Sequence, residues 1–320
     1  MKRIHYQFYF IAALISSPLI TTKVKWMQNG VTVVGGNGCG NGINQLYNPQ
    51  NVCIDDDQRI FVADFCNDRI VQWKKNATIS QVVAGGQGQG DRNDQLNSPT
   101  DVIVDKKNDC FIICDYNNRR VLRWPRQNGR SGETILSNIA CHGLTMDNDG
   151  YLYVSDYEKH EVRRWKIGEK DGTLVAGGNG QGNRFDQLNQ PLNIMVDEDQ
   201  SVYVSDFNNH RVMKWVKGAR EGVVVAGGQG PGNTLNQLSS PRGIVVDQLG
   251  TVYVADLSNH RVMRWLKGAR EGSVVAGGNG EGAQPNQLNG PSDLSFDRQN
   301  NLYVADPNNH RIQKFNVESD

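Results

Sequence analysis

The chain has 320 residues, and its 34 basic and 34 acidic side chains leave no formal net charge. A balanced charge argues against an electrostatic grip on nucleic acid, which requires a surplus of lysine and arginine on one face. Hydrophobic residues make up 38% of the chain, and together with the 35 glycines they give the composition of an ordinary globular protein.

The first 22 residues form a segment of their own. Lys2 and Arg3 precede an apolar run from Phe8 to Ile15, and small residues and Pro18 follow it. This arrangement is typical of a secretory signal, and the apolar run is short for a membrane span of about 20 residues. The sequence therefore predicts a signal peptide at 1–22 and a secreted domain at 23–320. An uncleaved segment that tethers the protein to a membrane is the alternative.

Two further features are typical of an exported protein. Asn76-Ala77-Thr78 is an acceptor sequence for N-glycosylation, and we expect it in an exposed turn. The number of cysteines is even, which suits disulfide bonds in an oxidising compartment, but it leaves their pairing open. Buried free thiols explain Cys53 and Cys114 equally well. The six cysteines are Cys39, Cys53, Cys66, Cys110, Cys114 and Cys141.

A repeat of about 50 residues runs through the rest of the chain. In each copy an apolar segment ends in aspartate, and a large aromatic residue follows nine positions later. One interval is shortened to 41 residues, before the third copy. Internal repeats of this length indicate a solenoid, a propeller or another repeat array. The pairs are Asp64 and Trp73, Asp115 and Trp124, Asp156 and Trp165, Asp206 and Trp215, Asp256 and Trp265, and Asp306 and Phe315.

Each repeat contains four short strands. In the repeat at 241–278 we predict strands at 243–247, 251–256, 261–265 and 273–276, because β-branched and aromatic residues there are bounded by Gly, Asn and Asp. Four antiparallel strands make a propeller blade. The sixth repeat lacks a fourth strand, whereas Val31-Thr-Val-Val34 is a fourth strand without a repeat. The sequence therefore predicts an all-β, six-bladed propeller that is closed by residues 31–34.

Three of the hairpins carry the same tripeptide. Asn209-His210-Arg211, Asn259-His260-Arg261 and Asn309-His310-Arg311 each follow a strand that ends in aspartate. This pattern resembles the Asn-His-Leu signature of NHL repeats, and the resemblance extends over residues 24–317. It implies a six-bladed propeller. The six-bladed relatives that the resemblance implies include peptidylglycine-amidating lyases and lactonase-like hydrolases, which use a metal in the channel.

Residues shared by the repeats are interpreted as architectural. Arginine lies five residues after the strand-end aspartate in every copy except the third, where Glu161 faces Asp156. Because these positions face each other across a four-residue hairpin, we predict cross-strand ion pairs. We expect His160, His210, His260 and His310 to bond local backbone rather than to share a metal ion. The predicted pairs are Asp64 and Arg69, Asp115 and Arg120, Asp206 and Arg211, Asp256 and Arg261, and Asp306 and Arg311.

The Gly-rich loops, such as residues 177–182, resemble a dinucleotide-binding fingerprint only superficially, because no helix follows them. We interpret them as links between blades, anchored by one leucine each. These leucines are Leu46, Leu96, Leu188, Leu238 and Leu288.

Residues that differ between repeats are the candidates for a site. The first strand of each blade lines the channel of a propeller, and its first residues are expected to converge at one mouth. Oxygens of Asn51, Asp101, Asn193 and Asp293 could suit Ca²⁺, with a solvated polar rim as the alternative. The hairpin residues Phe65, Tyr116, Tyr157, Phe207 and Leu257 are interpreted as core. The candidate binding residues are Gln50, Asn51, Thr100, Asp101, His142, Asn193, Arg242, Ser292 and Asp293.

These features favour a binding scaffold over an enzyme. We expect a monomer that binds an extracellular protein, peptide or glycan through its loop-rich face and does not bind nucleic acid. No cofactor is predicted, although Ca²⁺ or Zn²⁺ could occupy the channel. The alternative is a metal-dependent propeller enzyme.

Overall fold

The structure is a computed structural model that describes residues 20, 24–127 and 129–318. In these residues, 24 strands form six four-stranded antiparallel sheets. The first strands of neighbouring sheets contact one another around a closed circuit, so the sheets are the blades of a ring. The predicted six-bladed propeller is confirmed. The predicted signal segment lies outside the described residues except for Ile20, which is buried against the last two blades.

Each blade has one strand beside the axis, two in the middle and one at the rim. In chain order, the blades comprise β2 (Pro49–Ile54), β3 (Ile60–Asp64), β4 (Arg69–Trp73) and β5 (Gln81–Gly85); β6 (Pro99–Asp105), β7 (Cys110–Asp115), β8 (Arg120–Pro125) and β9 (Glu133–Ser137); β10 (Cys141–Met146), β11 (Tyr151–Asp156), β12 (Glu161–Lys166) and β13 (Thr173–Gly177); β14 (Pro191–Val196), β15 (Val202–Asp206), β16 (Arg211–Trp215) and β17 (Val223–Gly227); β18 (Pro241–Val246), β19 (Val252–Asp256), β20 (Arg261–Trp265) and β21 (Ser273–Gly277); and β22 (Asp293–Phe296), β23 (Leu302–Asp306), β24 (Arg311–Phe315) and β1 (Val31–Gly35).

The ring is closed by the strand that the sequence left over. Strand β1 pairs antiparallel with β24, and Gly35 faces Arg311. Residues before β1 extend this closure, because buried Trp26 bridges to Val317 and donates its indole N–H to the Asn300 carbonyl at 2.8 Å. The last blade therefore takes its rim strand from the beginning of the described chain, as predicted.

The hydrophobic core lies between neighbouring blades rather than inside any one of them. Tyr203 and Val212 of the fourth blade, for example, pack with Ile244, Val254 and Trp265 of the fifth. The aromatic residue that follows each strand-end aspartate is at most 7% exposed in every blade. Each sheet buries both of its faces against neighbouring blades. Apolar side chains are therefore found on both faces of a strand.

The helices among the described residues are five single-turn 3₁₀ segments, in the hairpins between the second and third strands. No helix of the described chain is long and apolar enough to cross a bilayer. The sequon residue Asn76 is exposed in the turn between β4 and β5, as expected. The five segments are Phe65–Asn67, Tyr116–Asn118, Phe207–Asn209, Leu257–Asn259 and Pro307–Asn309.

The strand-end aspartate is the centre of a buried network in each regular blade. Asp206 Oδ2 accepts hydrogen bonds from Arg211 Nε at 2.7 Å and Asn209 Nδ2 at 2.8 Å. Its Oδ1 accepts from the backbone N–H of Asn189 at 2.7 Å. The same 2.7 Å ion pair is present in each of the five predicted pairs, and the aspartates are fully buried rather than exposed.

The arginine of each pair also holds the Gly-rich loop. Arg211 donates to carbonyl oxygens of Asn183, Arg184 and Gln187, and Asn209 donates to that of Gly182. The five predicted leucine anchors are completely buried. Gly227, which follows the rim strand, has φ of +67°, and a Cβ there would lie 2.7 Å from the His210 carbonyl oxygen. The Gly-rich loops are therefore clamped structural links between blades.

The hairpin histidines bond backbone groups, as expected, but these groups belong to the next blade and are not local. In His210, Nδ1 accepts the backbone N–H of Ser240, which begins the next blade, at 3.1 Å. His160 and His260 make the same bond to Gln190 and Gly290. His310 accepts from Asn48 at 3.3 Å and joins the last blade to the first. The histidines have left-handed backbone conformations, with φ between +51° and +55°. In this conformation the imidazole reaches the next blade.

The third blade differs because it follows the shortened repeat. Glu161 lies opposite Asp156, as predicted, and pairs instead with Arg163 at 2.7 Å. A disulfide joins Cys114 of β7 to Cys141 of β10, so of the two alternatives left open for Cys114, the disulfide is the one present. Cys53 and Cys110 are buried free thiols, and Cys39 and Cys66 are exposed.

Candidate functional site

The first strands enclose the axis, and the predicted site residues occupy two consecutive positions on them. We call one face the hairpin face, because it carries the 3₁₀ hairpins and the Gly-rich loops. The other is the turn face, which carries the turns between first and second strands. The outer axial ring, nearer the hairpin face, comprises Gln50, Thr100, His142, Leu192, Arg242 and Ser292. The inner axial ring comprises Asn51, Asp101, Gly143, Asn193, Gly243 and Asp293.

The inner ring brings four polar side chains together across the axis. Asn51 Nδ2 donates to Asp101 Oδ1 at 2.7 Å and to Asp293 Oδ2 at 2.9 Å. Asn193 Nδ2 lies 3.3 Å from Asp293 Oδ1. The four residues come from the first, second, fourth and sixth blades, so the predicted convergence is present.

Backbone groups of neighbouring blades fix both carboxyls. The N–H of Leu144 donates to Asp101 at 2.6 Å, and that of Val52 donates to Asp293 at 3.0 Å. The two glycines of this ring allow the blades to approach closely, because a Cβ on Gly143 would lie 2.5 Å from the Leu192 carbonyl oxygen. The positions of the carboxyls are therefore set by the ring itself.

The two carboxyls are buried without a cationic partner. Asp101 and Asp293 are 3% and 5% exposed, and no ion pair to either is formed within the described part of the chain. Burial raises the pKa of Asp293 to about 7. Burial, and secondarily the charge of Asp293, raises the pKa of Asp101 well above its usual value. The inner ring thus carries carboxyls that resist ionisation.

This burial predicts a pH dependence of stability. Because the pKa of Asp293 is raised from 3.8 to about 7, the folded state keeps a proton that the unfolded chain loses. The free energy of unfolding should therefore fall as the pH rises from about 4 to about 7. We expect Asp293→Asn to make this decline shallower, as measured by urea unfolding at several pH values. An unchanged slope in this variant would contradict the assignment.

Aromatic residues surround Arg242 beside the outer ring. Its guanidinium lies 6.0 Å from the ring centre of Phe207, and Nη1 donates to Gln50 Oε1. Tyr116 makes edge contacts at 6.2 Å with both His142 and Tyr157. We call Tyr116, His142, Tyr157, Phe207 and Arg242 the aromatic cluster.

Several polar atoms near the aromatic cluster are buried and lack a hydrogen-bond partner within the described residues. These atoms are Arg242 Nε, His142 Nδ1 and Thr100 Oγ1. Burial lowers the pKa of His142 to about 3, so its imidazole is neutral at physiological pH. Ser292, in contrast, donates to the Gln50 carbonyl at 2.9 Å. The cluster therefore combines apolar area with unused polar atoms.

A cavity of about 420 Å³ begins at the inner ring and extends along the axis to the turn face. Asp56, Gln248 and Arg298 line its outer end and are exposed. Its walls include Cys53, Ile103, Met195, Val245, Leu294 and Phe296. Several of these residues lie two positions after the inner ring, where the period of a strand directs them to the axis again. That period is the signal that could have identified them from the sequence.

The candidate residues therefore do not form the open mouth that was predicted on the hairpin face. Seven of the nine are buried, and Asn193 and Arg242 are partly exposed. The physical reason is that the polar side chains form hydrogen bonds with each other across the axis and fill the channel near the hairpin face. The hairpin residues interpreted as core are half-buried, which corrects that interpretation for Phe65, Tyr116, Tyr157, Phe207 and Leu257.

The described residues contain no cluster of three or more His, Cys, Asp or Glu side chains that could hold a metal ion. The four hairpin histidines belong to four different blades, and each Nδ1 accepts from backbone. Oxygen ligands for Ca²⁺ would have to come from the two carboxyls and two amides of the inner ring.

The NHL repeat model matches residues 46–73, 238–264 and 288–315, which fall in the first, fifth and sixth blades. The chain therefore contains NHL repeats, and they lie on a six-bladed propeller. Each match contains the strand-end aspartate and the arginine that clamps the Gly-rich loop. A search of curated protein sequences finds no match.

Solved structures similar to this NHL-repeat propeller have low sequence identity and therefore show only the fold. An auxiliary nutrient binding protein from Bacteroides thetaiotaomicron matches with a TM-score of 0.71 and 16% identity, over 93% of this chain and 78% of that one. Virginiamycin B lyase from Staphylococcus aureus matches with a TM-score of 0.57 and 10% identity, over 87% and 98%. A chain of a nidogen/laminin complex matches with a TM-score of 0.56 and 14% identity, over 70% and 78%.

Proposed function

We propose that this NHL-repeat propeller is an exported binding scaffold that holds a protein, peptide or glycan on its hairpin face. The observation that carries the proposal is the aromatic cluster. Tyrosine and arginine are the residues that most often dominate binding energy at interfaces. Here they are half-buried and lie beside the outer axial ring. Unpartnered Arg242 Nε and His142 Nδ1 supply polar atoms that a ligand could satisfy.

The architecture supports binding, because a rigid surface loses little conformational entropy when a ligand docks. The clamped Gly-rich loops and the interblade histidine bonds hold the hairpin face in place. Two of the similar folds belong to a nutrient binding protein and to a nidogen/laminin complex. These likenesses agree with a binding role.

Export is part of the proposal. The signal-like segment at 1–22, the exposed sequon at Asn76 and the Cys114–Cys141 disulfide support it, since disulfides persist in oxidising compartments. The alternative function is an enzyme, and the observation that favours it is the pair of buried carboxyls beside a cavity. A propeller lyase is among the similar folds.

The proposal is tested by loss of binding from the hairpin face. Purified protein is applied to arrays of glycans and extracellular matrix proteins, together with an Arg242→Gln/Tyr157→Ala variant. We expect every retained ligand to bind the variant at least tenfold more weakly, because truncating an interface anchor costs about 2 kcal/mol or more. Val216→Ser, on an exposed residue outside the aromatic cluster, is the control and should bind normally. If the double variant holds all ligands as tightly as the native protein, this face is not the binding surface.

A further inference from the structure

The floor of the axial cavity presents hydrogen-bond acceptors and no free donor from Asn51. Both amide hydrogens of Asn51 are used by the carboxyls of Asp101 and Asp293. Asn51 is only 6% exposed. Its Oδ1 is buried and has no hydrogen-bond partner among the described residues. An unpaired buried acceptor costs free energy until a donor reaches it. The floor is therefore built to receive a donor.

The floor also carries carboxyls with which a cation could form an ion pair. Two buried carboxyls stand there with no ion pair among the described residues, whereas the charges at the outer end of the cavity are paired. Asp56 lies 2.6 Å from Lys106 and 2.9 Å from Arg298. The carboxyls that lack an ionic partner thus lie at the inner end of the cavity, where a bound cation would stabilise their ionised form.

The walls and the volume of the cavity indicate that a ligand would carry an apolar body in addition to the donor group. The cavity has a volume of about 420 Å³, and its walls include the apolar side chains of Ile103, Met195, Val245, Leu294 and Phe296. This volume lies in the range of small-molecule sites, and apolar side chains stand beside polar groups in the lining. A bare divalent ion would leave the walls without contact, and Ca²⁺ takes six to eight oxygen ligands.

We propose that the axial cavity binds a primary ammonium compound with an apolar body, which enters from the turn face. The three N–H donors of the ammonium group bond Asp101, Asp293 and Asn51 Oδ1. The apolar body lies along the walls between the inner ring and Phe296. This site is separate from the aromatic cluster, so the two proposals can fail independently.

The experiment compares probes that share one apolar body. Isothermal titration calorimetry of the full chain at pH 8 is carried out with hexylammonium, hexan-1-ol and CaCl₂. We expect hexylammonium to bind at least tenfold more tightly than hexan-1-ol. Equal binding of the two would show that the carboxyls do not recognise the cation. Absence of hexylammonium binding, or its displacement by Ca²⁺ at stoichiometric concentration, would overturn the proposal.

Variants locate the site. Asp101→Asn/Asp293→Asn should remove the preference for hexylammonium and leave the affinity for hexan-1-ol unchanged. Met195→Trp should weaken both probes, because it fills the cavity without touching the floor. Glu281→Gln removes an exposed carboxylate from a Gly-rich loop and is the control for a general loss of negative charge. Circular dichroism confirms that each variant is folded. If Glu281→Gln weakens binding as much as the double variant, the attraction is a general charge effect and the site is wrong.

Discussion

Arg211→Ala is expected to lower the free energy of unfolding by about 3–5 kcal/mol. Without its guanidinium, the completely buried carboxylate of Asp206 loses the 2.7 Å ion pair that compensates its charge. Three carbonyl oxygens of the Gly-rich loop lose their donors at the same time. Breaking one partner of a buried pair costs more than the pair contributes net, because the remaining charge stays desolvated.

The measurement is urea unfolding of Arg211→Ala beside two other variants. Arg184→Ala removes an arginine from an exposed ion pair with Asp186 in the same loop, and it should change stability little. Asp206→Asn/Arg211→Met removes both charges and should lose less than Arg211→Ala alone. Equal losses in Arg211→Ala and Arg184→Ala would contradict the buried-charge explanation.

The third blade explains why arginine and the Gly-rich loop occur together. Where the repeat is shortened, no loop needs to be clamped, and the arginine position holds Glu161. Glu161 pairs with Arg163, and Asp156 Oδ2 has a 3.5 Å ion pair with exposed Lys159 in place of the arginine. The glutamate is therefore compatible with this blade because the structure that requires arginine is absent from it.

The fold could be predicted because its signals are local and repeated. The strand-end aspartates give the number of blades, and the leftover strand at 31–34 gives the closure. Each ion pair spans a single hairpin, so a five-residue spacing is enough to find it. Convergence of the inner ring followed from the same symmetry.

The parts that could not be predicted depend on contacts between blades. The hairpin histidines bond residues 30 positions later, or 262 positions earlier for His310, and no local pattern identifies those partners. The burial of the inner ring depends on distances across the axis, which determine whether Asn51 reaches Asp101 and Asp293. A sequence gives the residues at each position of a ring but not the width of the ring.

Removing the disulfide with Cys114→Ala/Cys141→Ala is expected to lower the free energy of unfolding by about 3–4 kcal/mol, since the bond closes a loop with a sequence separation of 27 residues. Reductant should destabilise the native protein by a similar amount and leave the double variant unchanged. Cys39→Ser, at an exposed free thiol, is the control. A double variant as stable as the native protein would show that the bond is dispensable.

The position of this bond gives it an effect beyond chain entropy. It joins the second and third blades, at the junction that lacks the Gly-rich loop and its arginine clamp. Cys141 occupies the position that proline holds in the other five blades, and His142 and Gly143 of the axial rings come directly after it. Loss of the bond should therefore loosen the aromatic cluster as well. We expect the double variant to bind hairpin-face ligands more weakly even at temperatures where it remains folded.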